Sequence, residues 1–303
     1  MRLSATKTRK VRVFLGRKLP NDSELKPYFL ELDRKSPRQY KAKWLSSDES
    51  EQLEDLRAAA TEFYKNQDEP LPRDFIIRFT YNTNAIEGNP LTLRQTALIL
   101  ADNIVPQGAR TEYVMEVLNG KDAWEYSKNY EGRLNSEFVC HVQYEVTKNT
   151  ACRIQGSYRD CDVGISGSQW KPPQPGKVPN LMKQVFESYQ KQRKTLHPIE
   201  LASWLHNQIA QIHPFTDGNG RTARLLMNWA LHRAGFPPAV IEVKYKEEYY
   251  SQIEEADKGN QQPFAKYLAR LLFEQYTLPK AENASPQNQI PSLAAKKASK
   301  MLI

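Results

Sequence analysis

This sequence has few cysteines, no long apolar run and no recognisable signal segment. Its three cysteines, Cys140, Cys152 and Cys161, are odd in number and form no Cys-x-x-Cys pair, which argues against a disulfide framework and a structural zinc site. No apolar run approaches the roughly 20 residues that a membrane-spanning helix needs. The basic N-terminus is followed by no apolar segment, so a secretory signal is not expected. The sequence therefore predicts a protein that is located in the reducing cytoplasm and does not cross a membrane.

Charge of neither sign dominates the sequence enough to define a partner. The 303 residues include 43 Lys and Arg against 35 Asp and Glu, which gives a net charge of +8. Much of the basic excess lies at the two ends of the chain, where such charge is more often solvated than specific. Nucleic acid is therefore an unfavoured partner. Because no helix-turn-helix with a basic face is evident, a DNA-associated regulator is the weakest functional alternative.

Helical periodicity accounts for most of the chain between residues 44 and 276. Apolar residues recur at spacings of three and four, and caps, glycines and prolines mark the ends of the runs. Val163-Gly-Ile165 favours a short β-hairpin, and the residues from Pro279 on favour a flexible tail. The fold class expected is mainly α, with helices beginning near Trp44 and covering residues 74–86, 92–100, 109–126, 135–147, 181–193, 198–212, 220 onward, 246–257 and 263–276.

The densest chemistry lies between His213 and Arg224, in the run His-Pro-Phe-Thr-Asp-Gly-Asn-Gly-Arg-Thr-Ala-Arg. A glycine-rich turn there opens a helix, whose first N–H groups lack partners and can bind an anion. Arg221 and Arg224 oppose the helix dipole unless a polyphosphate lies in front of them. Asp217 can hold Mg²⁺, and His213 has a pKa suited to a base at neutral pH. The stretch predicts a site for a phosphorylated ligand.

This stretch resembles the signature of the Fic (Fido) family, protein adenylyltransferases that move AMP from ATP to a protein hydroxyl. Every position of His-Pro-Phe-x-Asp-Gly-Asn-Gly-Arg-x-x-Arg matches, and Gly220 stands where the family's phosphotransferase branch typically has Lys. The resemblance extends over roughly residues 75 to 275. It implies a Fic-type helical bundle with a small β-hairpin flap. The parts expected are an N-terminal helical region at 1–132, a Fido domain at 133–272, and the end of a helix with its tail at 273–303.

The resemblance also implies roles for single residues. His213 is the expected catalytic base, which takes the proton of a Ser, Thr or Tyr hydroxyl. Asp217 is the expected ligand of Mg²⁺ or Mn²⁺. Arg221 would reach the β-phosphate of ATP, and Arg224 the γ-phosphate. The expected ATP-binding set comprises the flap residues Val163, Gly164, Ile165 and Ser166, the motif residues Asp217, Gly218, Asn219, Gly220, Arg221, Thr222, Ala223 and Arg224, and the adenine-pocket residues Tyr249 and Tyr250.

Two stretches outside the signature add to the resemblance. Thr83-Asn-Ala-Ile-Glu87-Gly88 resembles the family's inhibitory motif, in which the Glu side chain pairs with the second signature arginine, here Arg224. An Arg–carboxylate pair is strong and often bidentate, so Thr83 and Glu87, on the helix at about 74–88, are expected to restrain ATP binding. Tyr249 and Tyr250 fit an adenine by stacking or a core by packing. Asp257 stands where close relatives carry Asn, which weakens the adenine assignment.

The function expected is AMP transfer from Mg-ATP to a target protein or to the chain itself, inhibited by Glu87. Two alternatives stay open. The same Glu87 could orient a water that removes AMP from a modified protein, or the pocket could sense a nucleotide without catalysis. A homodimer is a further expectation from the resemblance. His206 is expected to pack in the core, and no metal-ligand spacing exists among the five histidines.

Overall fold

The computed structural model describes residues 40–65, 73–165 and 167–276. This part of the chain is mainly helical, as predicted, and ten α-helices lie within it. The helices are α1 (Ser47–Lys65), α2 (Arg73–Ile86), α3 (Leu93–Asp102), α4 (Thr111–Asn129), α5 (Ser136–Thr147), α6 (Val178–Gln192), α7 (Pro198–Ile212), α8 (Asn219–Arg233), α9 (Lys246–Asp257) and α10 (Gln262–Tyr276).

Two consecutive helices, α7 and α8, form the centre of the fold. Both are buried along most of their length, because apolar residues occur on nearly every face. They pack on each other, and α4, α5, α6, α9 and α10 surround them. The turn that joins α7 to α8 covers residues 213–218, so the core holds the His213-to-Arg224 stretch from both sides.

The α2 helix lies against α4 through aromatic packing. The rings of Phe75 and Phe79 each lie 4.9 Å from the ring of Trp124, measured between centroids. Both phenylalanines are spaced at a helical repeat, so one face of α2 is apolar and faces the core. This packing fixes the C-terminal end of α2, where Thr83 and Glu87 lie, against the start of α8. The following helix, α3, begins with the capping box that Thr92 and Gln95 predict.

A buried carboxylate attaches the start of α1 to the core. Glu200, in the first turn of α7, is fully buried and accepts hydrogen bonds from the backbone N–H groups of Lys43, Trp44 and Leu45 at 2.5–3.0 Å. These N–H groups precede α1 and have no helical partner, so the carboxylate satisfies them where water cannot reach.

The β-hairpin expected at Val163 to Ser166 does not appear in the residues that the structure describes. Residues 163–165 form an irregular loop that ends in a turn, in which the backbone N–H of Ser168 donates to the Ile165 carbonyl. The prolines at 172 and 173 have no N–H to offer to a ladder. The side chain of Arg159 holds the loop instead. Ser166 lies outside the described residues.

Several other expectations concern ends and surroundings of the fold. Residues 1–39 and the tail from Pro279 lie outside the described residues, and the division at 132 and 272 stays a prediction. Cys140, Cys152 and Cys161 are free thiols. Within residues 40–65, 73–165 and 167–276, every helix is too short or too polar to cross a bilayer. The cytoplasmic location stays a prediction.

Candidate active site

The turn between α7 and α8 has a backbone that only particular residues can follow. Gly218, the N-cap of α8, has φ +77°, and a Cβ there would lie 2.9 Å from the Thr147 side chain on α5. Both the positive φ and the contact require glycine. The Asn219 side chain closes the turn, because it donates to the Phe215 carbonyl and accepts from the Phe215 N–H, each at 2.9 Å. The side-chain amide of Asn219, an expected ATP-binding residue, is therefore occupied within the turn.

The start of α8 is open toward the turn. Gly218 has no side chain to cap the helix, and its own N–H is bound by the Asp217 carboxylate at 2.6 Å. The N–H groups of the next residues precede the first helical hydrogen bond, which runs from Thr222 N–H to the Gly218 carbonyl. Unpaired N–H groups and the positive end of the dipole favour an anion at this position.

His213 ends α7 in the left-handed region, with φ 49° and ψ 59°. Its Nδ1 lies 3.2 Å from the Ala210 carbonyl. Because a carbonyl can only accept, Nδ1 carries the ring proton and Nε2 is left as an unprotonated base. Burial lowers the pKa of His213, and the nearby Glu87 carboxylate offsets part of that shift. The ring is therefore neutral at neutral pH and able to take a proton.

Arg159 holds the backbone of the histidine turn, a role that the sequence analysis missed. Its Nε donates to the His213 carbonyl at 2.8 Å, and its backbone N–H donates to the Pro214 carbonyl at 2.9 Å. Its other nitrogens donate to the carbonyls of Cys161 and Pro173. Burial lowers the pKa of Arg159. Arg159 and His213 are 54 residues apart, and no local pattern connects them.

Gln143 holds the other end of the same turn. This fully buried side chain on α5 donates from Nε2 to the Asp217 carbonyl at 3.1 Å and accepts from the Gly156 N–H at 2.6 Å. It therefore joins the acidic end of the turn to the loop that follows α5. The sequence offers no sign of this contact except a polar residue on an apolar helix face.

Arg221 lies between two carboxylates. Its Nη1 donates to Glu116 Oε1 at 3.1 Å, and its Nη2 lies 3.2–3.3 Å from both Asp217 oxygens. Glu116, on α4, also accepts a hydrogen bond from Asn89 at 2.7 Å. Glu116 and Asn89 were not among the expected site residues. Together they link the residues just after Glu87 to the first signature arginine.

Arg224 is buried, and the end of α2 supplies most of its partners. Its Nε donates to Thr83 Oγ1 at 2.8 Å, and its Nη2 donates to the Thr83 carbonyl at 2.9 Å and to Glu87 Oε1 at 2.7 Å. The remaining hydrogen bond runs from Nη1 to the Tyr249 hydroxyl at 3.2 Å. The structure thus brings together Thr83, Glu87 and Arg224, the three residues expected to form the inhibitory contact.

Gly220 leaves the space in which this contact forms. A Cβ on residue 220 would lie 2.2 Å from Glu87 Oε1 and 3.2 Å from Arg224 Nη1. No side chain other than hydrogen fits there while Glu87 is in this position. The glycine is required here by the close approach of the carboxylate rather than by its backbone angles.

Tyr249 is part of the core instead of a pocket wall. Only 1% of it is exposed, and its hydroxyl bonds to Arg224 and to His206, so its ring face is not open to an adenine. Tyr250 is partly buried, and its hydroxyl lies 3.5 Å from the Ile86 carbonyl. Burial raises the pKa of Tyr250 to about 12. Of the two tyrosines, Tyr250 alone is accessible enough to contact a ligand.

Asp257 has one buried carboxylate oxygen without a partner in the described residues.

The remaining expected residues divide by location. Thr222 and Ala223 are fully buried and face the core from the first turn of α8, so their side chains support the helix. Val163, Gly164 and Ile165 lie in the loop that Arg159 holds, with Gly164 exposed. Neither set shows a polar side chain directed at a ligand.

Asp217 fits the role expected for a metal ligand. Its side chain is 52% exposed and lies at the open start of α8. Within the described residues no group of three or more His, Cys, Asp or Glu side chains could form a complete metal cage. Mg²⁺ commonly binds through one or two carboxylates together with substrate phosphates. A single accessible carboxylate beside an anion site matches that donor set.

Comparisons with curated proteins point to one family. A family model described as Fic/DOC matches residues 133–231. The chain is 35% identical over 196 residues to "Protein adenylyltransferase Fic" of Nematostella vectensis. The aligned region covers 63% of this chain and 45% of that protein. It is 32% identical over 203 residues to the protein of the same name from Aedes aegypti, with 65% and 40% covered. The chain thus matches less than half the length of these curated relatives.

Solved structures give the same answer for the fold. A Fic domain containing signaling protein from Bacteroides thetaiotaomicron superposes with a TM-score of 0.64 at 26% identity, over 76% of this chain and 92% of that one. A fragment of Fic-1 from Caenorhabditis elegans gives 0.65 at 26% identity, over 85% and 76%. The family expected from the signature is confirmed. The chain therefore carries a domain of the Fic/DOC family, at residues 133–231.

Proposed function

We propose that this chain is a protein adenylyltransferase, which transfers AMP from ATP to a Ser, Thr or Tyr hydroxyl of a protein. One observation carries the proposal. The turn at residues 213–218 and the start of α8 together hold a histidine with one free ring nitrogen, an exposed carboxylate and two buried arginines. The names of the curated relatives support the same reaction. Because those relatives are more than twice as long as their match to this chain, the activity is inferred from the site.

The reaction would use His213 as its base. The acceptor oxygen attacks the α-phosphorus of ATP, its proton passes to Nε2 of His213, and the bond to the bridging oxygen breaks to release pyrophosphate. The hydrogen bond from Nδ1 to the Ala210 carbonyl keeps Nε2 unprotonated and favours the imidazolium once it forms. The lowered pKa of His213 keeps the base form present at neutral pH.

Charge stabilisation would come from α8 and its arginines. In the transition state negative charge grows on the α-phosphate and on the leaving pyrophosphate, so fixed cations and N–H groups supply most of the catalysis. The open N–H groups at the start of α8 and the Arg221 guanidinium would bind the phosphates there, and Arg224 would bind the γ-phosphate. Asp217 would hold Mg²⁺, which neutralises part of the phosphate charge when bound.

Glu87 would keep this site inhibited. Its carboxylate occupies Arg224 at 2.7 Å and lies against Gly220, so it puts negative charge and bulk where a γ-phosphate would approach. ATP then loses a cation and meets a like charge. Activation would require the Glu87 side chain to leave Arg224, which its 36% exposure permits.

The target would approach along the loop at residues 163–165, in which Gly164 is exposed; Arg159 joins the start of this loop, at Cys161, to the histidine turn. Extended segments bind such backbone through main-chain hydrogen bonds and therefore with little side-chain selectivity. Self-modification and a homodimer belong to the same proposal and rest on the sequence resemblance. A cytoplasmic location belongs to it too, and rests on the cysteine usage and on the lack of a long apolar run.

Labelled ATP tests the reaction class. E87G and the double variant E87G/H213A would be incubated with Mg²⁺ and ATP labelled on either the α- or the γ-phosphate. AMP transfer predicts that E87G retains the α-label on protein and no γ-label, and that E87G/H213A retains neither. Retention of the γ-label would show phosphoryl transfer and would overturn the proposal.

Removal of AMP is a second candidate, favoured by the free oxygen of Glu87. Arg224 binds Oε1, and within the described residues no hydrogen bond reaches Oε2. The carboxylate is also near enough to His213 to raise the pKa of the ring. A water held by Oε2 could then attack a protein-bound AMP. Here the test is release of free AMP from a modified protein, which the wild type would catalyse and E87G would not.

A further inference from the structure

Arg224 has one partner that does not belong to the inhibitory segment. Of its four hydrogen bonds, three go to Thr83 and Glu87 at the end of α2. The fourth goes from Nη1 to the hydroxyl of Tyr249 on α9. The guanidinium carbon also lies 5.8 Å from the centre of the Tyr249 ring, within the range of a cation–π contact. Tyr249 therefore holds Arg224 from the side of the core.

The Tyr249 hydroxyl begins a chain of buried hydrogen bonds. It lies 2.8 Å from Nε2 of His206, whose Nδ1 lies 3.1 Å from Asn207 Oδ1. The Asn207 side chain donates in turn to Gln261 Oε1 at 2.7 Å. His206 and Asn207 have no exposed surface, and they lie on α7, the helix that leads to His213.

One assignment of protons satisfies every member of this chain. Arg224 can only donate, so the Tyr249 oxygen accepts from Nη1 and donates its own proton to Nε2 of His206. His206 is then neutral, with its proton on Nδ1 and directed at Asn207 Oδ1. Burial lowers the pKa of His206 to about 3, which agrees with a neutral ring. Fully satisfied buried networks fix the geometry of their members.

We propose that Tyr249, supported by His206 and Asn207, is the positioning residue that holds Arg224 toward the γ-phosphate of ATP once Glu87 has left. The inference rests on the proposed function. When the Glu87 carboxylate withdraws, Nε and Nη2 of Arg224 keep their bonds to Thr83, and among the described residues the Tyr249 hydroxyl is the hydrogen-bond partner of Nη1. The hydrogen bond and ring contact from Tyr249 persist through that change, so the cation stays in place for the nucleotide.

The test compares two deletions of a buried hydroxyl in the E87G background. Y249F removes the bond to Arg224 and keeps the ring. Y267F is the matched control, because the Tyr267 hydroxyl is buried on α10 without a hydrogen-bond partner among the described residues. Titration calorimetry in Mg²⁺ would measure the affinity of each protein for ATP and for ADP, which lacks the γ-phosphate. Thermal unfolding without nucleotide would report any loss of fold.

Loss of one hydrogen bond to a charged group should weaken ATP binding by Y249F about tenfold. ADP binding should change less than about twofold, and Y267F should leave both affinities within the same range. Equal weakening for ATP and ADP, or unchanged ATP affinity, would overturn the role of Tyr249 while E87G itself still bound ATP. Failure of E87G to bind ATP would overturn the proposed function, and this inference with it.

Discussion

Gly220 and Glu87 define the inhibited state at the scale of single atoms. The carboxylate fits beside Arg224 because residue 220 has no side chain, and a Cβ there would lie 2.2 Å from Glu87 Oε1. Gly220 does not have a positive φ, so alanine suits its backbone. The conflict falls on the end of a flexible side chain that is 36% exposed, which can move away.

We therefore expect G220A to raise the basal rate of AMP transfer. The added methyl displaces Glu87 from Arg224, and even a displacement worth about 1.4 kcal/mol corresponds to a tenfold change in population. The rate would be measured as label incorporated from α-labelled ATP. The control is G220A in the E87G background, where the clash is absent and no further increase is expected. A lower rate of AMP transfer in both backgrounds would mean that the added methyl group clashes with the bound nucleotide and not with Glu87.

The two arginines at the start of α8 explain why the groups that pair with them are negatively charged. A helix start favours anions, yet Arg221 and Arg224 lie in the first turns of α8, and both are buried. Each is paired with a carboxylate from an earlier helix, Arg224 with Glu87 from the end of α2 and Arg221 with Glu116 from α4. The N-terminal helices thus supply the negative charge that a polyphosphate would supply when bound.

Glu116 should matter for stability because it joins three elements. E116A leaves Arg221 nearly buried with Asp217 as its remaining partner, and it removes an acceptor from Asn89. We expect a loss of about 1–3 kcal/mol in the free energy of unfolding, measured by urea denaturation. Glu125 lies on the same helix and is 46% exposed, so E125A should change the free energy by less than about 0.5 kcal/mol. Equal losses for E116A and E125A would contradict this role.

Across the whole molecule, the sequence predicted elements far better than contacts between them. Ten helices were expected from periodicity, because each core-facing stripe is a local pattern. The signature was recognisable because its residues are consecutive. The pairing of Glu87 with Arg224 was expected only through the family resemblance. Arg159, Glu116 and Gln143 were missed because their partners lie 54, 105 and 74 residues away. The choice between core packing and adenine contact stayed open for Tyr249, because an amphipathic helix does not reveal which face of a tyrosine is covered.

The buried network makes the stability of the whole fold depend on pH. The pKa of His206 is about 3 in the folded chain, whereas an unfolded histidine titrates near pH 6.5. Below pH 6.5 the unfolded state therefore binds a proton that the folded state does not. As the pH is lowered through this range, the free energy of unfolding decreases by about 1.4 kcal/mol per pH unit. Between pH 7 and pH 5 we expect His206 to account for a loss of roughly 2 kcal/mol.

Urea denaturation at the two pH values would check this dependence, with H206Q as the comparison. The glutamine cannot titrate, so H206Q should lose roughly 2 kcal/mol less than the wild type over the same interval. Identical pH dependence in the two proteins would show that His206 is protonated in the folded state or does not control the transition.

The most direct measurement of the central claim is the rate at which wild type and E87G incorporate AMP from α-labelled Mg-ATP, at equal protein and saturating nucleotide. If the buried pair of Glu87 and Arg224 restrains a nucleotidyl-transfer site, E87G should be faster by at least about tenfold, since one charged hydrogen bond is worth 1.5–3 kcal/mol. Equal rates for an active wild type and E87G would contradict the account, because the contact would then be structural and not inhibitory.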